Sequence, residues 1–304
     1  MRTLSLSLMV VAGMLPQTLW GIPAEAMCYK AKDKSRVVVA GGSLTETIFF
    51  LREEKVLVAV DLTSAYPSTV AKLPSIGYVR NLSTEGVLSL NPSLFLAEPS
   101  VGPITFVSQI KKTSLDFRVI PEQYTALGIL EKVMCMASVL GVSAKTKTQA
   151  EEVLREKIKL LTRNQKKITG KKKIGLIVLM MRGASAIAAG VGTAGDGFLK
   201  MLAAENGLSS RGWKPIGIEA ILNINPDFLI ATKRAVKPFG NKQNFLSKTG
   251  LAMAKASQNG KIFFKDGMSF LGFGPRTLSV AIEIQNGLNN KISEKAKRDR
   301  KVNF

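Results

Sequence analysis

Gly190-Val-Gly192-Thr-Ala-Gly195 is a literal G-x-G-x-x-G. In a dinucleotide site such glycines join a first strand directly to a helix whose N-terminus faces a pyrophosphate. Here the apolar run Ile174–Met180 ends about ten residues too early. No acidic residue closes a following strand at the expected spacing of about 20 residues, because Asn206 to Trp213 reads as loop. The motif is therefore expected to be a glycine-rich loop leading into a helix over Gly197–Ala204. An exported nucleotide-dependent enzyme using Gly190–Gly195 is the rival of a different class. Counting removes other chemistries. The chain has no histidine, which excludes Ser-His and Cys-His nucleophiles, His-ligated zinc and imidazole bases. Its two cysteines, Cys28 and Cys135, cannot make a zinc or iron–sulfur cluster. They could pair after export, but the place of Cys28 near a chain terminus argues against it.

The elements around these residues follow an α/β pattern. Met1-Arg2, the apolar run Leu4–Leu15 and Ala24-Glu-Ala26 have the n-region, h-region and cleavage site of a secretory signal peptide, cut after Ala26. The expected product is a soluble periplasmic protein. Short apolar runs at 36–40, 56–60, 94–97 and 117–120 alternate with helical or turn-rich segments, as buried parallel strands do. A helix opens at Ser43, with Glu46 spaced for a capping box. The second half restarts at 174–180 and continues at 228–231 and 261–264. The halves echo each other: Glu85-Gly-Val-Leu-Ser-Leu-Asn-Pro-Ser-Leu-Phe-Leu-Ala97 aligns with Glu219-Ala-Ile-Leu-Asn-Ile-Asn-Pro-Asp-Phe-Leu-Ile-Ala231. Each copy reads as a short helix, an Asn-Pro stop and a buried strand. Between them Thr125–Leu140 is densely apolar. Lys145–Ile168 is amphipathic, with Ala150, Val153, Leu154, Ile158 and Leu161 on one side. The expected plan is a signal peptide (1–26), an α/β lobe (36–140), one long interlobe helix (141–170), a second α/β lobe (171–290) and a basic tail (291–304). A ligand is expected in the cleft between the lobes.

Lysine and arginine number 43 against 22 acidic residues, a formal charge of +21. That raises nucleic-acid binding, but the cations are dispersed and no basic strand is interleaved with aromatics. No nucleic-acid partner is expected, and the protein is expected to act as a monomer.

Four segments resemble the periplasmic haem-binding proteins of ABC importers. They are Arg36-Val-Val-Val-Ala-Gly-Gly-Ser-Leu-Thr-Glu-Thr47, Gly77-Tyr-Val-Arg80, Leu82–Pro92 and Leu271-Gly-Phe-Gly-Pro-Arg276. The similarity runs over roughly residues 36 to 288. Gly-Gly-x-Leu-Thr-Glu and Glu…Asn-Pro are shared with the wider class III family that binds siderophores and cobalamin, whereas Gly-Tyr-x-Arg and Leu-Gly-Phe-Gly-Pro-Arg are closer to its haem branch. The resemblance implies two Rossmann-like lobes joined by one helix, with haem b (hemin) as transported ligand and no catalysis. A ferric siderophore or cobalamin is the alternative ligand.

Tyr78 occupies the family position of a tyrosinate ligand to haem iron. Phenolate oxygen suits ferric iron, and Arg80 would favour the phenolate or bind a propionate. Spacing alone leaves Tyr78 a loop or core residue and Arg80 a solvated cation. Some family members place a second ligand, a histidine, where this chain has Met181, so a second haem held that way is doubtful. A thioether is a weak sixth ligand or an apolar wall over the macrocycle; the wall is favoured. Arg182, Arg234 and Arg276 are candidate propionate partners. Glu85 and Glu219 match the glutamates with which the wider family docks onto permease arginines. The implied partners are haem, an inner-membrane ABC permease with its ATPase, and an outer-membrane haem receptor system upstream.

Overall fold

The computed structural model describes residues 28–166 and 172–289. The expected signal peptide, residues 167–171 and the expected basic tail 291–304 lie outside the described residues.

The first half builds a parallel sheet. Its elements in chain order are β1 (Val37–Ala40), α1 (Gly42–Phe50), β2 (Leu57–Val60), α2 (Thr84–Leu88), β3 (Leu94–Ala97), α3 (Ile104–Ile110) and β4 (Asp116–Val119). The strand order is β2-β1-β3-β4. Val37 pairs with Leu94 and Leu94 with Asp116. Every residue of β1 and β3 is buried, which explains why these strands read as unbroken apolar runs: helices cover both faces.

Two helices lead to the second half. In α4 (Ala126–Val139) the Thr125 side chain accepts the Gly128 N–H at the N-terminus. Then α5 (Ala144–Lys166) runs for 23 residues. It buries Ala150, Leu154 and Leu161, with Ile158 half-buried, but Val153 is exposed. At about 100° per residue, Val153 falls on the flank of that stripe rather than within it.

The second half contains β5 (Ile174–Arg182), β6 (Ser185–Ala189), α6 (Ala194–Met201), β7 (Glu205–Asn206), β8 (Trp213–Gly217), α7 (Ile218–Ile224), β9 (Phe228–Thr232), α8 (Lys233–Val236), α9 (Lys242–Thr249), α10 (Lys255–Gln258), β10 (Ile262–Lys265), α11 (Met268–Leu271) and α12 (Pro275–Asn289). The sheet order is β10-β9-β5-β6-β8, with β7 beside β5. The expectation of parallel strands alone needs correction here. β5 continues two residues beyond Met180 and turns through Gly183-Ala184 into antiparallel β6, with Arg182 opposite Ser185. Gly183 has φ +61°, the left-handed geometry that a two-residue hairpin turn requires.

One apolar core, including Leu44, Ile129, Leu154, Phe198, Phe270 and Ile284, runs through α4, α5 and α12 and joins the two sheets. The opposite face of each sheet has its own cluster. The helix–Asn–Pro–strand echo appears as α2–β3 and α7–β9, with Asn91 and Asn225 both at φ near +50° as left-handed stops.

Two further expectations are corrected. Cys28 and Cys135 form a disulfide. The segment after Cys28 is anchored: Ala31 N–H donates to Val139 O, and the Arg118 guanidinium lies 4.1 Å over the Tyr29 ring. Nor does Glu46 close a capping box. The helix starts at Gly42, its N-cap Gly41 has no side chain to reciprocate, and Glu46 instead reaches Arg276.

Candidate ligand site between the lobes

In open α/β sheets ligands collect beyond the carboxyl ends of the strands, and the loops and helix starts that follow those ends carry Tyr78, Arg80, Arg234 and Arg276, with Met181 and Arg182 at the end of β5. Asp61, at the end of β2, organises the first lobe's rim. It is buried; one oxygen accepts Gly41 N–H and Ser64 O–H, the other Thr63 N–H and O–H. The chain must pass closely here. A Cβ on Gly42 would lie 2.4 Å from Thr63 O, so only glycine lets the start of α1 approach that loop.

The same rim exposes a set of large apolar side chains: Leu62, Tyr66, Tyr78, Ile104, Tyr124 and Leu127. Three of the chain's four tyrosines lie on it. Tyr78 is 46% exposed, and its hydroxyl has no hydrogen-bond partner among the described residues. The backbone beneath it is fixed, since Asn81 N–H donates to Tyr78 O and Gly102 N–H to Val79 O. Arg80 is exposed on the other side of buried Val79. Its charge also acts on the phenol of Tyr124. Burial pushes the Tyr124 hydroxyl above the usual tyrosine range, Glu122 and Glu98 add to that, and Arg80 opposes it. Tyr124 also meets the second lobe: its ring centroid is 5.1 Å from that of Phe273. A Cβ on Gly197 would sit 2.4 Å from Tyr124 Cβ.

Beneath the rim lies a buried charged layer. Lys132 Nζ binds Glu122 and donates to Ser43 Oγ and Gly272 O at 3.2 Å each, so it ties α4 to both α1 and the α11–α12 turn. Arg276 donates its backbone N–H (2.7 Å) and Nε (2.6 Å) to the two oxygens of Glu46. Burial raises the Glu46 carboxyl above the ordinary range against the pull of Arg276, and it raises Glu98 likewise, with Glu122 and Asp61 adding to the shift.

The second lobe contributes a different surface. Arg182 ends β5, while Lys233 and Arg234 open α8 just after β9, the neighbouring strand. The Thr232 hydroxyl donates to Leu179 O and accepts Ala235 N–H, fixing that junction. Arg182, Lys233 and Arg234 are exposed and make no ion pair among the described residues. Met181 is half-buried against the cluster containing Leu176 and Val178. Between the lobes a cavity of about 190 Å³ is lined by Gly42, Thr63, Ala65, Tyr66, Lys233, Asp266, Met268 and Arg276. Arg276 alone of the predicted ligand residues borders it; Tyr78 and Arg80 stand on the first lobe's rim, Met181, Arg182 and Arg234 at the ends of second-lobe strands. Glu85 and Glu219 are exposed in the first turns of α2 and α7.

The glycine motif follows β6, an antiparallel strand, and opens α6 with Thr193 as its cap. Gly192 N–H, which a phosphate would need, already donates to Asp196 at 3.1 Å. Despite burial, Lys200, Gly192 and Asn206 hold that carboxyl below the usual aspartate range. The loop binds its own carboxylate. Sequence reasoning missed Tyr66, Tyr124 and the Glu46–Arg276 pair. The available signal was that three of four tyrosines fall in the first-half turns that follow strands.

A two-sheet α/β chain with a long connecting helix and a ligand-facing rim is the plan of a class III periplasmic binding protein. The chain belongs to the periplasmic binding protein family, which it matches over residues 37–267. It is similar to the periplasmic heme-binding protein RhuT from Roseiflexus sp. RS-1, with 27% identity, 84% of this chain and 97% of that one covered, and a TM-score of 0.75. It is also similar to the periplasmic heme-binding protein HutB of Vibrio cholerae, with 30% identity, 85% and 100% coverage, and a TM-score of 0.73. Among curated proteins it is 22% identical over 204 residues to the uncharacterized ABC transporter substrate-binding lipoprotein YvrC of Bacillus subtilis (strain 168). That match covers 66% of this chain and 64% of the relative's length. These relatives are substrate-binding proteins. No helix among the described residues is long and apolar enough to cross a membrane.

Proposed function

We propose that this protein captures haem in the cleft and delivers it to an inner-membrane ABC permease, leaving its cargo chemically unchanged. The observation that carries this reading is the exposed, unpartnered Tyr78 phenol on the cleft rim of a fold whose similar structures are heme-binding proteins. Free tyrosine ionises near pH 10, so a phenolate at neutral pH costs about 4 kcal/mol unless ferric iron and a nearby cation favour it. Iron supplies most of that, and Arg80 adds to it or holds a propionate. Arg182 and Arg234, exposed and making no ion pair among the described residues, attract the propionates toward the cleft, and Met181 forms apolar wall. Glu85 and Glu219 set the docking register on the permease, because two separated acidic points fix orientation better than they add affinity. Export by the 1–26 signal peptide places the carrier in the periplasm, where an outer-membrane haem receptor system supplies it and the permease's ATPase powers uptake.

The test is titration of the purified mature chain with hemin beside Tyr78→Ala. Binding should shift the Soret band in the parent, and the variant should lose the tyrosinate spectrum. Identical spectra for the two proteins would remove Tyr78 as the ligand.

A further inference from the structure

We infer that Tyr66 is a second ligand contact in the cleft, an aromatic ledge for the plane of the porphyrin, and that Arg276 and Glu46 are positioning residues that hold it. The inference rests on the haem reading above. Tyr66 lies in the loop that Asp61 organises, twelve residues before Tyr78, and borders the interlobe cavity. The Arg276 guanidinium carbon is 3.6 Å from the Tyr66 ring centroid, within stacking contact of a cation on an aromatic face. Glu46, whose side chain is only 5% exposed, grips the same arginine through Nε and the backbone N–H. The order of support therefore runs from a buried carboxylate to a guanidinium to a ring. Tyr66 as a whole remains 46% exposed.

Charge in the cavity decides what the ledge receives. The positive charge of Arg276 is matched by Glu46, and the cavity's other cation, Lys233, shares the lining with Asp266. Of the remaining side chains there, Ala65 and Met268 are apolar, and the Thr63 hydroxyl is already engaged by Asp61 and Gly42 N–H. A cavity with balanced charges and an exposed ring suits a flat π-surface better than a carboxylate. Arg276 thus changes role: the sequence suggests a propionate partner, whereas its geometry is that of a brace behind Tyr66.

Hemin and iron-free protoporphyrin separate the two tyrosines, because a ledge needs only the macrocycle while a tyrosinate needs the metal. Both are titrated into the mature chain by absorbance and fluorescence quenching. Tyr66→Ala should weaken both ligands by about tenfold, and Tyr66→Phe should stay within about twofold of the parent. Glu46→Gln should weaken both by about threefold through a loosened brace. Tyr78→Phe should weaken hemin alone. The inference is overturned if Tyr66→Ala binds protoporphyrin as the parent does. It is also overturned if Tyr66→Phe matches Tyr66→Ala with the loss confined to hemin, since the hydroxyl would then be acting on iron. A parent that binds neither porphyrin defeats both this inference and the haem reading. An unchanged hemin spectrum in Tyr78→Phe defeats the tyrosinate alone, and Tyr66→Ala still decides the ledge. Tyr66 and Tyr78 are exposed, so the tyrosine variants should melt with the parent, which a thermal scan checks.

Discussion

The two lobes share a plan and divide the work differently. Residues 28–140 contain 12 basic and 10 acidic side chains, against 15 and 6 over residues 172–289. The first lobe is therefore nearly neutral and the second strongly cationic. At the cleft the first lobe shows tyrosines and aliphatic side chains above a layer of buried, mutually paired charges. The second, apart from Arg276 that joins this layer through Glu46, shows Arg182, Lys233 and Arg234, which make no ion pair among the described residues. Internal pairing fixes geometry, because each partner is desolvated and cannot trade its neighbour for water. Unpaired exposed cations attract from a distance and adjust on arrival. The first lobe is built to orient a ligand, the second to draw it in.

The largest test of that division attacks the first lobe's covalent tie. Cys28 and Cys135 are separated by 107 residues, a loop whose closure in the unfolded chain is worth roughly 4–5 kcal/mol on the chain-entropy account. The Cys28→Ser/Cys135→Ser variant should lower the melting temperature by about 10 °C. A melting curve matching the parent's would mean that the N-terminal segment is held by Tyr29 and Ala31 alone. Next comes the buried lysine. Lys132→Met leaves Glu122 without its cation and frees Ser43 and Gly272 O, and should cost about 3 kcal/mol in denaturant unfolding. A loss under about 1 kcal/mol would show that the layer beneath the rim fills space rather than fixing geometry.

These ties mark the boundary of what sequence reading could reach. Runs such as Val37–Ala40 and Leu94–Ala97 are buried on both faces, so their composition alone announces strands. The Asn-Pro stops repeat because the same left-handed exit is needed twice. By contrast, Glu46 and Arg276 lie 230 residues apart, and no local period links them. The Ser43-x-x-Glu46 spacing even suggested a different partner. The β5–β6 hairpin hid because the apolar run gives way at Arg182, just before the turn, and Ser185–Ala189 consists mostly of small residues with little strand preference. The disulfide was misjudged from nearness to the terminus, when what counts is whether the adjoining backbone is hydrogen-bonded. At the site, Tyr78 and Arg80 were picked out by family resemblance; Tyr66 and Tyr124 carry no local signature and become visible only when the strand ends are brought together.

A smaller effect probes the acids beneath the rim of the first lobe. Burial raises the Glu98 carboxyl, and Glu122 and Asp61 raise it further, while its hydrogen bond from Ser100 and the charge of Lys132 oppose them. The folded protein therefore binds that proton more tightly than the unfolded chain. This group's contribution to stability is greatest below the unfolded value near 4.5 and declines as pH rises through the higher folded value. Glu98→Gln should accordingly raise the melting temperature at pH 7, with the gain shrinking toward zero on acidification below that range. A variant less stable than the parent at pH 7 would mean that the ionised carboxylate is a net favourable member of the layer.

The smallest effect falls on the second lobe, and it is a rate rather than a stability. If Arg182 and Arg234 act by attraction, replacing both with glutamine should leave the melting curve unchanged, since neither makes an ion pair among the described residues. It should slow hemin association by about threefold at low ionic strength. The difference should vanish near 0.5 M salt, where the Debye length falls to about 4 Å. Stopped-flow traces at several salt concentrations separate the possibilities. A salt-independent slowing accompanied by faster release would make the arginines direct clamps on propionates, and the second lobe would then orient its ligand as the first does. Equal rates at every salt concentration would leave the charge contrast between the lobes without kinetic consequence. Steering predicts a slope: the ratio of parent to variant rates falls steadily as salt screens the cationic rim, while dissociation stays constant.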